Sequence, residues 1–276
     1  MEFGAGVRVG AGITMGGEGI NRRPMPRPLF DLSNVPPIIS DSSLILHLDA
    51  GNPSSYSGSG LIWNDISGNG FQATMTSAMA SNYVRASAPF GYPNTEGSYF
   101  DLGVENSARY AEIPYNATLR PTEGITFEVF AYENFWTSGF GSYVLFPSGM
   151  FFGYNGAIGS GAFRFQINNT VTNSGFQFID QLGKWFHLVG TYDRSRIRTY
   201  LNGVEGASIA LTTPISYGST YSSWINGTNN ASPGSAPVQN FIRGWIGLIR
   251  VYNRALSTAE IQNNYNAQKF RYGLLT

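Results

Sequence analysis

The chain contains no cysteine. Thiolate metal sites, disulfide frameworks and cysteine nucleophiles are excluded together. It has only two histidines, His47 and His187, too few and too far apart to build a histidine-rich metal centre by themselves. Charge is scarce as well, at 12% of the 276 residues, about half the ~25% share of an average soluble protein. The 17 basic and 17 acidic side chains cancel, so the basic face of a nucleic-acid-binding protein is not expected. No run approaches the roughly 18 to 20 apolar residues of a membrane span. The N-terminus lacks the apolar core of a secretory signal.

Glycine and aromatic residues are abundant instead. Seven of the 34 glycines, from Gly4 to Gly19, punctuate the first 19 positions, and Arg22, Arg23 and Arg27 follow among Pro24, Pro26 and Pro28. Glycine raises the entropic cost of ordering and proline removes ladder donors, so residues 1–40 read as an extended attachment arm and linker. Val7 to Val9 suits addition to a neighbour's sheet edge, and Arg22, Arg23 and Arg27 suit pairing with an acidic surface. The first 30 residues carry four arginines against Glu2 and Glu18, leaving a mildly basic arm and a mildly acidic body.

Residues 41–276 read as one domain. In Leu44 to Leu48 the three leucines share one face, with Ile45 and His47 on the other. Ile125, Phe127, Val129 and Ala131 share a face opposite Thr126, Glu128 and Phe130. Trp185 to Asp193 and Ile197 to Leu201 follow, then an Asn202-Gly203 type I′ turn into Val204 to Ala210, and finally Trp245 to Tyr252. Short strands with no intervening helices indicate an antiparallel sandwich. Ser257-Thr258-Ala259-Glu260 is a capping box that opens a short C-terminal helix ending near Gln268.

Five segments in order resemble laminin-G-like, concanavalin A-like jelly rolls. They are Leu46-His47-Leu48-Asp49 with the Asp65-to-Gly70 turn, Tyr99-Phe100-Asp101 with Tyr110 to Pro114, Ile125 to Val129, Trp185 to Asp193, and Gly244 to Ser257. The resemblance implies an all-β, two-sheet jelly-roll sandwich over roughly residues 43–268. The closing segment is similar to domains of tailed, especially marine, bacteriophage structural proteins, which implies a virion component assembled in the host cytoplasm and oligomeric in the particle.

A related hydrolase would need two carboxyls about 5 Å apart on one strand face. Glu128 and Glu133 are an odd number of residues apart and face opposite ways, so no catalytic residues are assigned. Glu128 is expected as an exposed cross-strand partner of an arginine such as Arg250, and His187 as a hydrogen-bonded structural residue. Family members often bind calcium, and Asp49, Asp65 and Asn69 offer hard oxygen ligands near a tight turn. Without an Asp-x-Asp-x-Asp cluster, turn shaping is the preferred reading of Asp65 and Asn69. No other cofactor is expected. For glycans, stacking rings and amides are offered by Tyr217, Tyr221, Trp224 and Asn226 in the polar stretch 212–240, and by Trp136 beyond a strand end. The leading expectation is a non-enzymatic bacteriophage capsid decoration protein anchored to other virion proteins by residues 1–40. The alternative is a carbohydrate-binding tail or fibre adhesin for host surface glycans, and the third a polysaccharide-cleaving enzyme.

Overall fold

Runs of β-branched and aromatic residues, broken by asparagine, glycine and serine turns, pair into two antiparallel sheets. The computed structural model describes residues 35–86, 97–103, 108–135, 139–146, 150–156, 161–218, 220–229 and 235–274. Val7, Val9, Arg22, Arg23, Arg27 and Trp136 lie outside the described residues. The strands are β1 (Leu44–Asp49), β2 (Ile62–Asn64), β3 (Gln72–Met75), β4 (Tyr83–Val84), β5 (Tyr99–Asp101), β6 (Ala111–Ile113), β7 (Ile125–Glu133) and β8 (Phe140–Phe146). They continue with β9 (Met150–Asn155), β10 (Ala162–Ile167), β11 (Thr170–Gln177), β12 (Trp185–Tyr192), β13 (Arg196–Leu201), β14 (Val204–Ala210), β15 (Ser223–Ile225) and β16 (Gly244–Tyr252). Helix α1 (Ser77–Ala80) is a single turn, and α2 (Thr258–Gln268) follows the last strand.

Sheet A runs β14-β13-β12-β7-β16-β5-β4, with β1 also paired to β16, and sheet B runs β11-β10-β9-β8-β15-β6-β3-β2. Their stacked inner faces make a jelly-roll sandwich. Phe127 of β7 sits at its centre, with ring centroids 4.9 Å from Phe146, 5.7 Å from Phe152 and 5.9 Å from Phe165. Asn202 and Gly203 both take positive φ, 50° and 80°, as the β13–β14 hairpin turn requires.

The leucine alternation in β1 is corrected by a register shift between Leu44 and Leu46. The irregularity sends Leu44 outward, where it packs with Tyr252, Leu256 and Ile261, while Ile45, Leu46 and Leu48 enter the core between the sheets.

Helix α2 begins at the expected capping box, with Ser257 and Glu260 bonding each other's backbone N–H. Its apolar side lies on the outer face of sheet A: Ile261 meets Tyr200 and Tyr252, and Tyr265 meets Phe130 and Leu248. A 3-10 turn, Lys269–Tyr272, extends the cover. The Tyr272 ring stacks on Phe130 at 4.8 Å and fills the place of a side chain at Gly247, where a β-carbon would come within 2.6 Å of it. Alanine at that bulge would push the helical tail off the sheet.

This cover buries charge. Glu128 and Arg250 are cross-strand partners, as expected, but Glu128 is only 1% exposed rather than open to solvent. One carboxylate oxygen accepts from Arg250 Nη1 at 2.9 Å and pairs with His187 Nε2 at 2.9 Å, and the other accepts from Asn264 Nδ2 of α2 at 3.0 Å. Burial alone would raise the Glu128 carboxyl, but Arg250 and the His187 and Asn264 bonds hold it below the usual carboxylate range. Arg250 Nε donates to His47 Nε2 at 3.3 Å. Burial, with Arg250 adding to it, depresses the His47 imidazole to about 3. Asn264 Oδ1 in turn accepts from the Ile39 N–H at 2.8 Å, so the incoming chain is tied to the same cluster.

On the other face of β7, Glu133 takes a neutral route to burial. Its carboxyl accepts from the Tyr143 hydroxyl of sheet B at 2.8 Å and from the Arg243 N–H at 3.2 Å. Burial pushes it up to about 8, with those two bonds acting the other way.

Removing one partner of the buried pair strands the other charge. Arg250→Met is expected to cost about 3–5 kcal/mol in urea unfolding, whereas Arg194→Met, whose partner Glu123 is exposed, should cost under about 1 kcal/mol. Glu133 gives a pH signature of definite sign. Between its ordinary value of 4.5 and about 8 the folded chain keeps a proton the unfolded chain releases, so stability falls as pH rises. Glu133→Gln should therefore match the parent near pH 5 and exceed it by a few kcal/mol at pH 8, at about 1.4 kcal/mol per unit. Parallel unfolding curves at the two pH values check this.

Candidate functional site

Each described residue singled out in the sequence has a definite place. Asp49 is buried, and its two oxygens accept from Arg271 Nη1 at 2.8 Å and Nη2 at 2.7 Å. Burial works to raise its carboxyl, but Arg271 keeps it lowered. Asp65 Oδ1 accepts from the N–H groups of His47 at 2.7 Å and Ser67 at 2.9 Å, and Oδ2 from the Ser67 hydroxyl at 2.7 Å. Asn69 Nδ2 reaches Ser67 Oγ at 2.9 Å and the Leu44 carbonyl at 3.3 Å. These bonds shape the turn and pin it to β1. Among the described residues no group of three metal-ligating side chains gathers.

The glycan candidates are scattered. Trp224 lies in β15, 5% exposed, with its ring edge-on to Tyr110 at 5.7 Å. Asn226 is buried and bridges two segments, accepting from the Ile242 N–H at 2.8 Å and donating to the Arg109 carbonyl at 2.7 Å. The Tyr217 hydroxyl donates to the Pro121 carbonyl at 2.9 Å, and its ring lies 5.3 Å from the Arg120 guanidinium. Tyr221 alone of these is open, at 48%. Tyr217 and Tyr221 meet around Arg120, whose Nη2 donates to the Tyr221 carbonyl at 2.9 Å, whereas Trp224 and Asn226 are buried.

A second aromatic group stands where β5, β7, β12 and β16 meet. Trp245 is stacked by Tyr99 at 4.4 Å and by Tyr132 at 4.0 Å, with Trp185 edge-on to Tyr132 at 5.9 Å. Because β16 lies between β5 and β7, the two tyrosines cover opposite faces of the Trp245 ring. This row is packed on itself, and Trp245 has no free face for a sugar to stack on.

The outer face of sheet B is different. No helix comparable to α2 lies on it among the described residues. Inward Phe163 and Phe165 force Arg164 outward. Cross-strand pairing then puts Ser142, Gly153, Arg164 and Asn173 in one row over β8, β9, β10 and β11. Gly153 is held side-chain-free by its neighbour, since a β-carbon would come 1.9 Å from the Gly141 carbonyl oxygen. Across this gap lies Arg164, whose guanidinium carbon is 5.3 Å from the Phe140 ring centre and 5.6 Å from that of Phe151. The two rings meet edge-to-face at 6.3 Å, and Phe140 is 38% exposed. Arg164 Nη2 donates to Gln166 Oε1. Ser142 Oγ, Arg164 Nε and Asn173 Oδ1 are buried without a hydrogen-bond partner among the described residues.

The arrangement joins aromatic surface and an oriented planar cation, both half-buried, on the outer face of sheet B. It suits a flat, polar ligand. Sequence reading passed over these residues because Phe140, Phe151 and Arg164 sit in three separate strands. The alternation in Ala162-Phe163-Arg164-Phe165-Gln166-Ile167 was the one local signal that Arg164 points outward.

Residues 105–262 match a laminin G type family described as the concanavalin A-like lectin/glucanases superfamily. Among solved structures, domain 4 of AbnA, an extracellular arabinanase from Geobacillus stearothermophilus in complex with arabinotriose, aligns with a TM-score of 0.55 at 17% identity. The alignment covers 81% of this chain and 98% of that domain. Trypanosoma rangeli sialidase aligns with a TM-score of 0.56 at 15% identity, over 87% of this chain and 36% of its own. The botulinum neurotoxin serotype D ligand-binding domain, in complex with N-acetylneuraminic acid, aligns at 0.54 and 15%, over 82% of this chain and 51% of its own. This chain thus spans nearly all of the arabinanase domain but only part of the other two. At such identities the likeness is one of fold. No curated protein sequence matches the chain.

Proposed function

The chain belongs to the concanavalin A-like lectin/glucanases superfamily, and from that premise we propose that it is a non-catalytic glycan-binding module. Its sugar-contacting surface is the outer face of sheet B. One observation carries the reading: Arg164 lies over the Phe140 and Phe151 rings on the outer face of sheet B, where no helix comparable to α2 lies among the described residues. Two of the aligned structures hold sugars, arabinotriose and N-acetylneuraminic acid, which supports the ligand class without locating it here. The non-catalytic part rests on the carboxylates. Glu128 is enclosed under α2, and Glu133 is enclosed in the core on the opposite face of β7, so they cannot flank one glycosidic bond.

Display on a virion is the second half of the proposal, with residues 1–34 as the attachment arm. Its support is geometric. Pro37 accepts from Asn263 Nδ2 at 2.6 Å and Ile39 is bound by Asn264, so the arm joins the domain on the α2 side, over sheet A. The bare face of sheet B lies on the other side of the sandwich. Attachment and recognition then point in opposite directions.

On a glycan array the chain is expected to bind a restricted set of structures, and Phe151→Ala and Phe140→Ala should each weaken binding about tenfold or more without loss of fold by circular dichroism. A blank array for the parent chain would sink the glycan reading. Removing residues 1–34 should leave melting and array binding unchanged while abolishing co-purification with virions. Full incorporation of the shortened chain would remove the arm from the proposal.

A further inference from the structure

We infer that the face of sheet B selects glycans that carry a carboxylate, with Arg164 as the residue that reads it. The inference rests on the glycan-binding reading above. Among the described residues, Arg109, Arg194, Arg198, Arg250, Arg254 and Arg271 each lie within 4 Å of a carboxylate oxygen. Arg164 meets none. Its guanidinium is held instead by two aromatic rings and by Gln166, which itself bonds Asn169 at 3.4 Å. These contacts fix the orientation of the cation and leave its charge uncompensated.

The neighbours give no internal substitute. The pairing rows that cross Arg164 hold Ser142, Gly153 and Asn173, and the adjoining row holds Leu145, Phe151, Gln166 and Val171, none of them acidic. The next carboxylate along the face, Glu112 of β6, is two strands beyond Leu145 and bonds the Ser222 hydroxyl at 2.5 Å. Burial is the one influence that acts on the Arg164 guanidinium, and it disfavours the charged form. Arginine stays protonated regardless, so the desolvation cost remains in the free protein. An arriving carboxylate offsets that cost, and its planar pair of oxygens matches the guanidinium edge. A neutral sugar would gain the stacking and leave the charge unanswered.

The test uses the full chain on an array of matched pairs: sialylated and asialo glycans, and oligogalacturonates with their methyl esters. Sulfated galactans form a third arm. The carboxylate form of at least one pair should bind tenfold or more tightly than its neutral counterpart, with affinity falling as salt rises. Arg164→Gln should remove the discrimination and keep residual binding through the phenylalanines, while Arg164→Lys should keep part of it. Both variants should melt within a few degrees of the parent, because the side chain is only half-buried. Equal binding of acid and neutral partners, or undiminished discrimination in Arg164→Gln, overturns the inference and leaves glycan binding standing. Preference for the sulfated arm overturns the carboxylate assignment. No binding to any glycan overturns the underlying reading as well.

Discussion

The buried carboxylate of Glu128 is the constraint on which the arrangement of the domain turns. A charged oxygen pair in the middle of sheet A cannot be left under apolar cover without partners. The neighbouring strands supply Arg250 and His187, but their bonds leave the second oxygen open. Asn264 of α2 closes it at 3.0 Å. The helix is therefore fixed on sheet A by a specific polar contact as well as by Ile261 and Tyr265. That docking brings Tyr272 over Gly247 and gives Ile39 its anchor. Sheet B has no such buried carboxylate on its outer face, and no helix comparable to α2 lies there among the described residues. The asymmetry between a closed face and an open one follows from one residue position.

Glu128 and Glu133 show two solutions to burying an acid on the same strand. Glu128 keeps its charge because a full cation stands beside it. Glu133 meets a phenol and a backbone N–H, with the Arg243 charge acting the same way, but burial outweighs all three and the carboxyl is held up to about 8. The second solution is sensitive to pH where the first is not, since Glu128 stays ionised through the whole neutral range. Glu133 nevertheless does structural work: its bond to Tyr143 links sheet A to sheet B, and its carbonyl accepts from Gly183 at 2.9 Å beside the start of β12.

What could be read from the sequence was what local chemistry decides. The capping box at Ser257, the Asn202-Gly203 turn and the faces of β7 follow from short-range pattern, and the Glu128–Arg250 partnership, across 122 residues, from the outward register of both strands. The order of the five resembling segments gave the jelly roll. Burial of the Glu128 pair was not legible, because it depends on a helix 130 residues later folding back onto that face. The irregularity in β1 hid for a similar reason: nothing in Leu-Ile-Leu-His-Leu marks where the register slips. In β8 and β9 Phe-Gly-Ser-Tyr and Met-Phe-Phe-Gly-Tyr interrupt alternation with glycine, while β10 alternates over only six residues. β15 is three residues long and shows no periodicity, so it reads as part of the polar stretch 212–240. Phe140, Phe151 and Arg164 come together only through the pairing of β8, β9 and β10, and the Trp224 ring is enclosed.

The two faces of the sandwich use arginine in opposite ways, and the difference bears on function. Arg250 and Arg164 both lie on outer faces of interior strands, and both have lost part of their water. Arg250 is matched within the chain, by Glu128 across the ladder, and the matched pair is then sealed by α2. Arg164 is given rings on two sides and a glycine beneath, features that orient a guanidinium without neutralising it. Had the fold needed that position only for cohesion, a carboxylate at Asn173, directly across the ladder, would have served as Glu128 does. An amide stands there instead. A cation that is positioned but not paired leaves its strongest interaction available to something outside the chain. On the outer face of sheet B, where no helix comparable to α2 lies among the described residues, such a group contributes more to the proposed recognition than to stability.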